Sequence, residues 1–559
     1  MPTNKTIVIV GGVAGGMSCA ARARRLDESA TIIVLERGPY VSFANCGLPY
    51  YVGGEIEDRD ALVLQTPQSL AASLNLDVRL HHDVIGVDPK AHTVTVATER
   101  GEEQLSYDAL VLSPGAAPRR LPIDGLDSPR ATYLRTVDEA IALREKVASG
   151  LKRAVVLGAG FIGVEAAEQL RHAGLEVTLV EIADRVLFPL EAELSQLARE
   201  ELVSLGIDVA TSTGIDSVSN GEATDTVRLS DGREIETDLL VVSAGVAPDT
   251  KVFEEAGVAC ERGAILIDEH GRTNLDDVWA VGDATAMVNP LTGKPQVVAL
   301  AGPANRGGRL IADHILAPEG ARPLPTPLGT AVVRIGSLTA AMTGARKETL
   351  VSENIEHTTI HTHPLNHVGY FPGASAIHLI THIGADGEIL GAAAIGKAGV
   401  ARRIDVLATA MRAGMKAPDL IDLDLAYAPP YGAAKDPVNM IGMVAENLLT
   451  GRIDLWYAED WETIKDDHLI LDVRSEGEYA SGHLPGSANI PHTELRGRLD
   501  EVRELAAGRP VRVLCGVGVR SHIANRVLLQ AGFDTASLSG GWQTVVASFG
   551  AMGKKGELA

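Results

Sequence analysis

A strand followed at once by a glycine-rich turn occurs twice in this chain, with the first glycines 147 residues apart. Ile7–Gly16 reads IVIVGGVAGG, and Ala154–Gly163 repeats its outline as AVVLGAGFIG. Such a turn joins a buried parallel strand to a helix and leaves backbone N–H groups at the positive end of that helix, where phosphate binds. The repeat therefore predicts an α/β chain with two Rossmann-like dinucleotide-binding folds.

The second of these turns carries every glycine that dinucleotide binding requires. Gly158 allows the tight turn, Gly160 lets a pyrophosphate approach the backbone, and Gly163 lets the following helix pack against the strand. We predict that helix over Val164–His172. The next strand ends in Glu181, whose carboxylate suits a ribose 2′-hydroxyl and repels a 2′-phosphate. An NAD site is therefore predicted here, with NADH favoured over NADPH.

The first turn departs from that pattern at one position. Gly11 and Gly16 keep the outer glycines, whereas Val13 replaces the middle one. The next strand again ends in an acid, Glu36, at about the expected offset. A plain α/β turn without a ligand is the alternative, but the paired acid favours a second dinucleotide site.

Composition narrows the class of protein. The 559 residues suggest three to four domains at ~150 residues each. With 50 basic and 73 acidic residues the net charge is −23, which argues against broad nucleic-acid binding. No uncharged apolar run reaches the ~18 residues of a membrane span, and the N-terminus lacks a signal-peptide layout. Since four scattered cysteines cannot form a disulfide scaffold, we expect a reduced, cytoplasmic protein.

Three further segments resemble motifs of flavoproteins that bind two dinucleotides. Thr273–Asp283 (TNLDDVWAVGD) is similar to the motif whose aspartate binds the ribityl chain of FAD, and Ala109–Gly115 (ALVLSPG) and Leu239–Pro248 (LLVVSAGVAP) resemble the two connecting motifs. The resemblance implies FAD contacts from Gly11, Ala14, Gly15, Glu36, Arg37, Asn45, Val84, Ser113, Gly115, Gly282, Asp283 and Ala301. It implies NAD contacts from Gly158, Gly160, Ile162, Gly163, Glu181 and Gly245.

Cys46 is the candidate redox residue. It lies in Val41–Tyr51 (VSFANCGLPYY), just after the second predicted strand. Dithiol flavoenzymes carry Cys-x4-Cys, but this chain has Tyr51 where a second cysteine would stand. A single thiol needs its second sulfur or oxygen from a small thiol, a persulfide or a sulfenic acid. A buried, inert thiol is the alternative; it suits Cys19 and Cys260 better than Cys46.

At this motif the resemblance narrows to coenzyme A-disulfide reductases and the related NAD(P)H-dependent persulfide and polysulfide reductases. NADH oxidases and peroxidases are similar enzymes that cycle one cysteine as a sulfenic acid. The peroxidases place a histidine where this chain has Ala14. Disulfide or persulfide chemistry is therefore favoured over peroxide cleavage, and the oxidase or peroxidase activity stays an alternative.

The same family supplies two tyrosines from the partner subunit. Tyr370 (in HVGYFPG) and Tyr427 (in YAPPY) resemble them, although Tyr431 is an alternative contact to Tyr427. A tyrosine hydroxyl stabilises or protonates a leaving thiolate. The resemblance also implies coenzyme A contacts from Arg25, Ser42, Asn305 and Arg309. Ser69–Asn75 carries no basic residue where relatives tend to place one, which argues against tight coenzyme A binding.

The last hundred residues resemble a rhodanese, or sulfurtransferase, domain. The matching segments are Leu469–Arg474, Glu478–Pro491 and Gly540–Trp542. The six-residue loop from the strand-end Cys515 comprises Gly516, Val517, Gly518, Val519 and Arg520 and leads into a helix. Its N–H groups would hold the terminal sulfur of a persulfide. Related phosphatases use a loop one residue longer, so sulfur transfer is favoured over both phosphatase and scaffolding roles. No metal site is predicted, and His361 and His363 are expected on a strand face.

The predicted architecture is α/β, with two Rossmann-like domains, an α+β dimerisation domain and a C-terminal α/β rhodanese domain. We place the FAD-binding domain at 1–112 and 249–325, the NAD(P)H-binding domain at 113–248, the dimerisation domain at 326–451 and the rhodanese domain at 458–559. Within the dimerisation domain we predict strands at Ala331–Ile335, Ile377–Ile383 and Ile389–Ile395, and helices at Val400–Ala413 and Pro437–Leu449.

The function predicted from these features is NAD(P)H- and FAD-dependent reduction of a persulfide, polysulfide or coenzyme A disulfide at Cys46. Cys515 would deliver sulfane sulfur, and Tyr370 and Tyr427 would act across a homodimer. An oxidase or peroxidase with an accessory rhodanese domain is one alternative. A sulfur carrier or redox sensor that acts on a protein partner is the other.

Overall fold

The computed structural model describes residues 4–558. They form two compact units. The first comprises the chain up to Ile182 together with Thr213–Gly329, and the second comprises Ala183–Ser212 together with the chain from Thr330. Within the described residues no helix has the length and apolar character that a membrane crossing needs.

The helices are, in chain order, α1 (Ala14–Leu26), α2 (Leu48–Val52), α3 (Pro67–Leu74), α4 (Val137–Ala148), α5 (Phe161–His172), α6 (Ala192–Ser204), α7 (Lys251–Glu255), α8 (Ala301–Leu316), α9 (Lys347–Ser352), α10 (Val400–Ala413), α11 (Pro437–Leu449), α12 (Trp461–Ile464), α13 (Glu476–Ala480), α14 (Leu499–Ala506), α15 (Val519–Gln530) and α16 (Trp542–Ala551). Short 3₁₀ turns lie at Asn45–Gly47, Arg59–Leu62, Ala417–Asp422, Ala458–Asp460, Leu495–Gly497 and Lys555–Glu557.

The strands are, in chain order, β1 (Thr6–Val10), β2 (Thr31–Glu36), β3 (Asp77–Leu80), β4 (Asp83–Asp88), β5 (Thr93–Thr98), β6 (Gly101–Ser106), β7 (Ala109–Leu112), β8 (Ala116–Pro118), β9 (Ala131–Thr132), β10 (Arg153–Leu157), β11 (Glu176–Val180), β12 (Ile207–Ala210), β13 (Ile215–Asn220), β14 (Asp225–Leu229), β15 (Glu234–Thr237), β16 (Leu239–Val242), β17 (Val246–Pro248), β18 (Cys260–Glu261), β19 (Ala264–Leu266), β20 (Val278–Ala280), β21 (Thr285–Val288), β22 (Pro295–Val297), β23 (Ala331–Ile335), β24 (Leu338–Gly344), β25 (Thr358–Thr362), β26 (Ile377–Ile383), β27 (Ile389–Gly396), β28 (Leu455–Trp456), β29 (Leu469–Asp472), β30 (Ala488–Asn489), β31 (Val511–Leu514) and β32 (Thr535–Leu538).

Two parallel sheets organise the first unit. One has the order β20-β7-β1-β2-β3, and the other contains β11-β10-β16-β9. Their central strands are runs of Val, Ile and Leu buried on both faces, the pattern of a parallel sheet covered by helices. The carboxyl ends of parallel strands share one edge of their sheet. In the first sheet this edge carries the turn after β1 and the acid at the end of β2. In the second sheet it carries the turn after β10 and the acid just after β11.

Helices α1 and α8 pack closely in the first unit because small residues face each other. A Cβ on Gly308 would overlap the carbonyl O of Gly15 and would lie 3.0 Å from the amide N of Cys19. Cys19 is completely buried in this contact, and burial followed by the nearby Asp313 raises the pKa of its thiol to about 12. Cys19 is therefore an inert packing residue, as the sequence predicted.

The second unit contains an antiparallel and a parallel sheet. The antiparallel sheet has the order β23-β24-β27-β26-β25 and packs its apolar face on α10 and α11. The parallel sheet has the order β28-β32-β31-β29-β30. The strand bounds predicted for β23 and β26, and the helix bounds predicted for α10 and α11, agree with the structure; β27 runs one residue further, to Gly396.

Candidate active site and its two cradles

The first glycine turn forms a cradle at the carboxyl end of β1. Gly11 has φ +100°, and a Cβ there would overlap the carbonyl O of Ser113. The N-terminus of α1 has no side-chain cap, so its first N–H groups point to the cradle. Glu36 is held in place because its two carboxylate oxygens accept from the N–H groups of Gly12 and Gly38, each at 2.8 Å. The cradle continues into a cleft of ≈ 340 Å³ whose lining includes Arg37 and Val84.

The second turn repeats this geometry at β10. Gly158 has φ +99°, and a Cβ there would lie 2.5 Å from the carbonyl O of Ser243, too close for any side chain. The Glu181 carboxylate accepts from the N–H of Ala159 at 2.6 Å, which is the counterpart of the Glu36 contact. The helix, α5, starts at Phe161 and also has no side-chain cap.

Both cradles fit dinucleotides. Each offers an uncapped helix N-terminus, a glycine turn without room for a Cβ, and a carboxylate at the ribose position. A Cβ on Gly160 would meet nothing within 4 Å, so the backbone of the second loop is open to a pyrophosphate, whereas Val13 stands at the corresponding position of the first loop. The residues present would therefore hold one dinucleotide on each sheet.

Asp283, the predicted flavin-binding acid, follows Gly282 at the end of the β20 segment. Burial raises the pKa of this carboxyl group, and the guanidinium of Arg135, 3.6 Å away, opposes that rise. In the amide orientation that satisfies both groups, the side-chain nitrogen of Asn45 donates to the carbonyl O of Arg135 at 3.1 Å, and its side-chain oxygen accepts from the Arg135 guanidinium. Arg135 thus joins the flavin-motif acid to the residue that precedes Cys46. Sequence reasoning missed Arg135 because it lies in no motif.

Cys46 sits in the 3₁₀ turn Asn45–Gly47 and is exposed. The pKa of its thiol is raised by the protein packed around the sulfur and then by Glu165 and Asp283, while Arg135 lowers it. Glu165 lies on α5, next to the second cradle, and accepts from the hydroxyl of Tyr50 at 2.8 Å. Apart from its position on the helix after the glycine turn, nothing in the sequence marks this acid as part of the site.

The four predicted coenzyme A contacts lie around the α1–α8 pair and the turn before Cys46. Arg25 is exposed on α1, and Asn305 and Arg309 are exposed on α8. The hydroxyl of Ser18 donates to the Asn305 side chain at 2.5 Å and so fixes its orientation. Ser42 has φ +50° and its N–H bonds to the carbonyl of Gly12 beside the first cradle.

The second unit brings the two predicted tyrosines together. The hydroxyls of Tyr370 and Tyr427 lie 3.3 Å apart, although 57 residues separate them. Their side chains are 75% and 46% exposed, and the hydrogen bond between them is the main cause that raises the pKa of Tyr427. Tyr431 is 71% exposed and does not make this contact. One of the two O–H groups donates within the pair, so the exposed pair keeps one O–H donor for a further group.

The loop predicted to hold a persulfide lies between β31 and α15. Cys515 is 1% exposed at the end of β31, and its sulfur accepts from the N–H of Gly518 at 3.2 Å. Arg520 makes two hydrogen bonds with Glu478, at 2.6 and 2.7 Å, and this guanidinium lowers the pKa of the Glu478 carboxyl to about 2. The loop N–H groups and the start of α15 therefore surround the sulfur with positive partial charge.

Two dinucleotide cradles with an exposed thiol beside them define a class of proteins, the two-nucleotide oxidoreductases. Comparison with known families agrees with this class. Residues 5–305 match the Pyridine nucleotide-disulphide oxidoreductase family, residues 330–437 match its dimerisation domain, and residues 457–548 match the Rhodanese-like domain.

Individual relatives agree as well. Coenzyme A disulfide reductase of Staphylococcus haemolyticus is 33% identical over 449 residues, which is 79% of this chain and 100% of that protein. The crystal structure of reduced Bacillus anthracis CoADR-RHD superposes with a TM-score of 0.94 at 37% identity and covers 98% of both chains. An NAD-dependent persulfide reductase from A. fulgidus gives a TM-score of 0.89 at 35% identity, over 96% of this chain and 99% of that one.

The chain belongs to the pyridine nucleotide-disulphide oxidoreductase family and is an NAD(P)H-dependent flavoprotein oxidoreductase with a C-terminal rhodanese domain. The predicted family and fold class are confirmed. The individual site residues stay predictions, which the geometry above supports.

Proposed function

We propose that this protein reduces the sulfur–sulfur bond of a persulfide, a polysulfide, coenzyme A disulfide or coenzyme A persulfide through one redox cysteine, Cys46. The observation that carries the proposal is an exposed, lone thiol between Arg135 and Glu165, beside both cradles. All four cysteines are free, so Cys46 has no disulfide partner within the chain. Its second sulfur has to come from the substrate.

The chemistry at Cys46 is thiol–disulfide exchange. The thiolate attacks one sulfur of the substrate, a mixed disulfide forms, and the other half leaves as a thiolate or as hydrosulfide. FAD, when bound in the first cradle, would supply the electron pair from NADH that splits the mixed disulfide, which regenerates the Cys46 thiolate and releases the substrate half as a second thiol. Arg135 favours the thiolate electrostatically, whereas the Glu165 carboxylate favours the protonated thiol.

The exposed tyrosine pair would complete this site in a homodimer. Tyr370 and Tyr427 of the second subunit would donate hydrogen bonds to the leaving sulfur, which lowers the pKa of that thiol and speeds its departure. Two hydroxyls 3.3 Å apart are suited to a shared acceptor the size of a sulfur atom. Support comes from their exposure and from the match to a dimerisation domain.

Cys515 would take up sulfane sulfur as a persulfide and pass it towards Cys46, directly or on a small thiol carrier. The Gly518 N–H donates to the Cys515 sulfur, and the other loop amides would hold the terminal sulfur of a persulfide. Arg25, Ser42, Asn305 and Arg309 would contact coenzyme A if it is the carrier. The reduced thiols that this chemistry needs are those of the cytoplasm.

The cofactors follow from the two strand-end acids. The Glu181 carboxylate is fixed by the Ala159 N–H at the ribose position, and it would repel the 2′-phosphate of NADPH, so NADH is the proposed donor.

The FAD domain would comprise 1–112 and 249–325, the NAD domain 113–248, the dimerisation domain 326–451 and the rhodanese domain 458–559.

Two cysteine variants test the proposal. Cys46→Ser should abolish NADH oxidation with polysulfide and with coenzyme A disulfide, because no other thiol can replace it. Cys515→Ser should lower polysulfide turnover but leave disulfide reduction unchanged. Cys260→Ser is the matched control, because this half-buried thiol lies in neither site. Sulfide release, measured against NADH and oxygen consumption, separates reduction of sulfur from an oxidase reaction.

Three results would contradict the proposal. Equal loss of both activities in Cys515→Ser would contradict a role for Cys515 that is separate from that of Cys46. Oxygen uptake that matches NADH oxidation, with no sulfide released, would identify an oxidase. Slow turnover with every small acceptor, together with a stable protein complex, would identify a carrier or sensor.

A further inference from the structure

The turn Ser539–Gly541 contacts the Cys515 loop through its backbone. The N–H of Trp542, the next residue, donates to the carbonyl O of Cys515 at 2.7 Å. A Cβ on Gly541 would overlap that same carbonyl oxygen and lie 2.9 Å from the amide N of Val517. The position of this turn therefore fixes the orientation of the first peptide groups of the loop.

The other side of the turn contacts the antiparallel sheet of the same unit. The hydroxyl of Ser539 accepts from the backbone N–H of His361 at 3.0 Å and lies 2.8 Å from His361 Nδ1. His363 Nε2 lies 2.7 Å from the hydroxyl of Thr544, in the first turn of α16. Gly540 has no room for a Cβ because these side chains fill the space around it. The turn is thus held between the loop and two buried histidines.

Glu193, in the first turn of α6, lies behind His361. Its carboxylate is 3.7 Å from His361 Nε2 and accepts from the hydroxyl of Ser548 at 3.4 Å. Burial by itself would raise the pKa of Glu193, but the contact with His361 outweighs burial and lowers it to about 2. The Glu193 carboxylate therefore faces Nε2 of the His361 ring, and the Ser539 hydroxyl faces Nδ1 of the same ring.

We propose that Glu193, His361 and Ser539 are positioning residues for the Cys515 loop, so that two residues from outside the rhodanese segment, Glu193 and His361, complete the sulfur-transfer site through Ser539. This inference rests on the proposed role of Cys515 as a sulfur carrier. The physical reason is geometric: the loop N–H groups must converge on one sulfur, and a shift of the Cys515 carbonyl turns the adjoining peptide groups away from it.

The experiment uses the full chain and two substitutions that hardly change side-chain volume, Glu193→Gln and Ser539→Ala. The control is Thr535→Val, which removes another buried hydroxyl, at the far end of β32, that accepts from the Asn525 amide at 3.2 Å. The first readout is sulfur transfer from thiosulfate to cyanide. Thiosulfate gives its outer sulfur to the Cys515 thiolate with loss of sulfite, and cyanide removes it as thiocyanate, so no oxidant or reductant is consumed.

The second readout is the pH profile of Cys515 alkylation by iodoacetamide, followed on the Cys515 peptide by mass spectrometry. We expect Glu193→Gln and Ser539→Ala each to lower kcat for sulfur transfer about tenfold and to shift the alkylation profile, whereas Thr535→Val leaves both unchanged. A role in stability alone would lower the melting temperature but keep kcat and the alkylation profile at the parent values, and that result overturns the inference.

The two proposals fail separately. If the parent chain transfers no sulfur, the proposed function of Cys515 is wrong. The alkylation profile then still decides whether Glu193 and Ser539 position the loop, because it needs no turnover.

Discussion

A buried ion pair joins the two loops that carry the tyrosines. Arg403 is 2% and Asp436 5% exposed, and Arg403 Nη2 lies 2.9 Å from Asp436 Oδ2. The same guanidinium donates to the carbonyl O of Asn366 at 3.0 Å, just before the Tyr370 loop. Asp436 in turn follows the Tyr427 loop and caps α11. We therefore expect Asp436→Asn to loosen both loops at once.

The size of this effect follows from what the substitution keeps and removes. Asparagine has nearly the same volume and caps a helix as well as aspartate does, so packing and capping change little. What is lost is the charge opposite Arg403, which stays buried with no ionised partner in this contact. Breaking a buried ion pair in this way costs roughly 3–5 kcal/mol. We expect Asp436→Asn to lower the free energy of local unfolding around the two tyrosine loops by that amount.

Native-state hydrogen exchange of the α11 and β26 peptides measures that free energy directly. The control is Asp534→Asn, which removes a largely exposed partner of Arg512, 3.3 Å away, and should cost at most about 1 kcal/mol. The kcat of NADH-dependent disulfide reduction should fall in Asp436→Asn and not in the control. A loss below 1 kcal/mol in Asp436→Asn would refute the reasoning, because the pair would then behave like one on the surface.

Three further predictions concern the thiol, the acid stability and the first cradle. Glu165→Gln removes a carboxylate that raises the pKa of Cys46, so alkylation of Cys46 at pH 7 should become faster. The low pKa of Glu193, about 2 against 4.5 for the unfolded chain, contributes about 3 kcal/mol at neutral pH. That contribution should be lost as pH falls from 4.5 towards 2. The free energy of unfolding of Glu193→Gln, measured by urea titration, should not show this decrease. Gly308→Ala should cost ~1–3 kcal/mol by separating α1 from α8, with weaker FAD retention measured by flavin absorbance.

The first and the third of these predictions have a matched control variant. Glu168→Gln, one turn further along α5, should leave Cys46 alkylation unchanged. Gly302→Ala on α8 should keep FAD bound, because its Cβ would meet only the flexible end of Arg306, at 3.5 Å. Faster alkylation in both glutamate variants, or equal FAD loss in both glycine variants, would contradict the stated causes.

The local parts of the site could be predicted because their chemistry lies in short segments. Gly11 and Gly158 have φ near +100° and lie against the carbonyl of a neighbouring segment. Because only glycine tolerates this conformation and this close contact, the glycine pattern of the sequence predicts both cradles. The acids Glu36 and Glu181 end strands whose apolar runs mark them as buried. The Cys515 loop could likewise be predicted, from its length between a strand and a helix.

The contacts between distant segments could not be predicted in this way. Arg135 reaches Asp283 across 148 residues, and neither the charge nor the spacing of Arg135 marks it in the sequence. His361 was expected on a strand face and does lie in β25, but its partners Ser539 and Glu193 come from 178 residues later and 168 residues earlier.

The two cradles, the lone thiol, the Cys515 loop and the family could be predicted from short segments, because turn geometry and strand burial depend on a few neighbouring residues. The charges around Cys46, the buried ion pair between the tyrosine loops and the histidines beside the Cys515 loop became apparent only in the folded chain. Side-chain electrostatics depends on distance in space, and chain folding sets that distance independently of separation along the sequence.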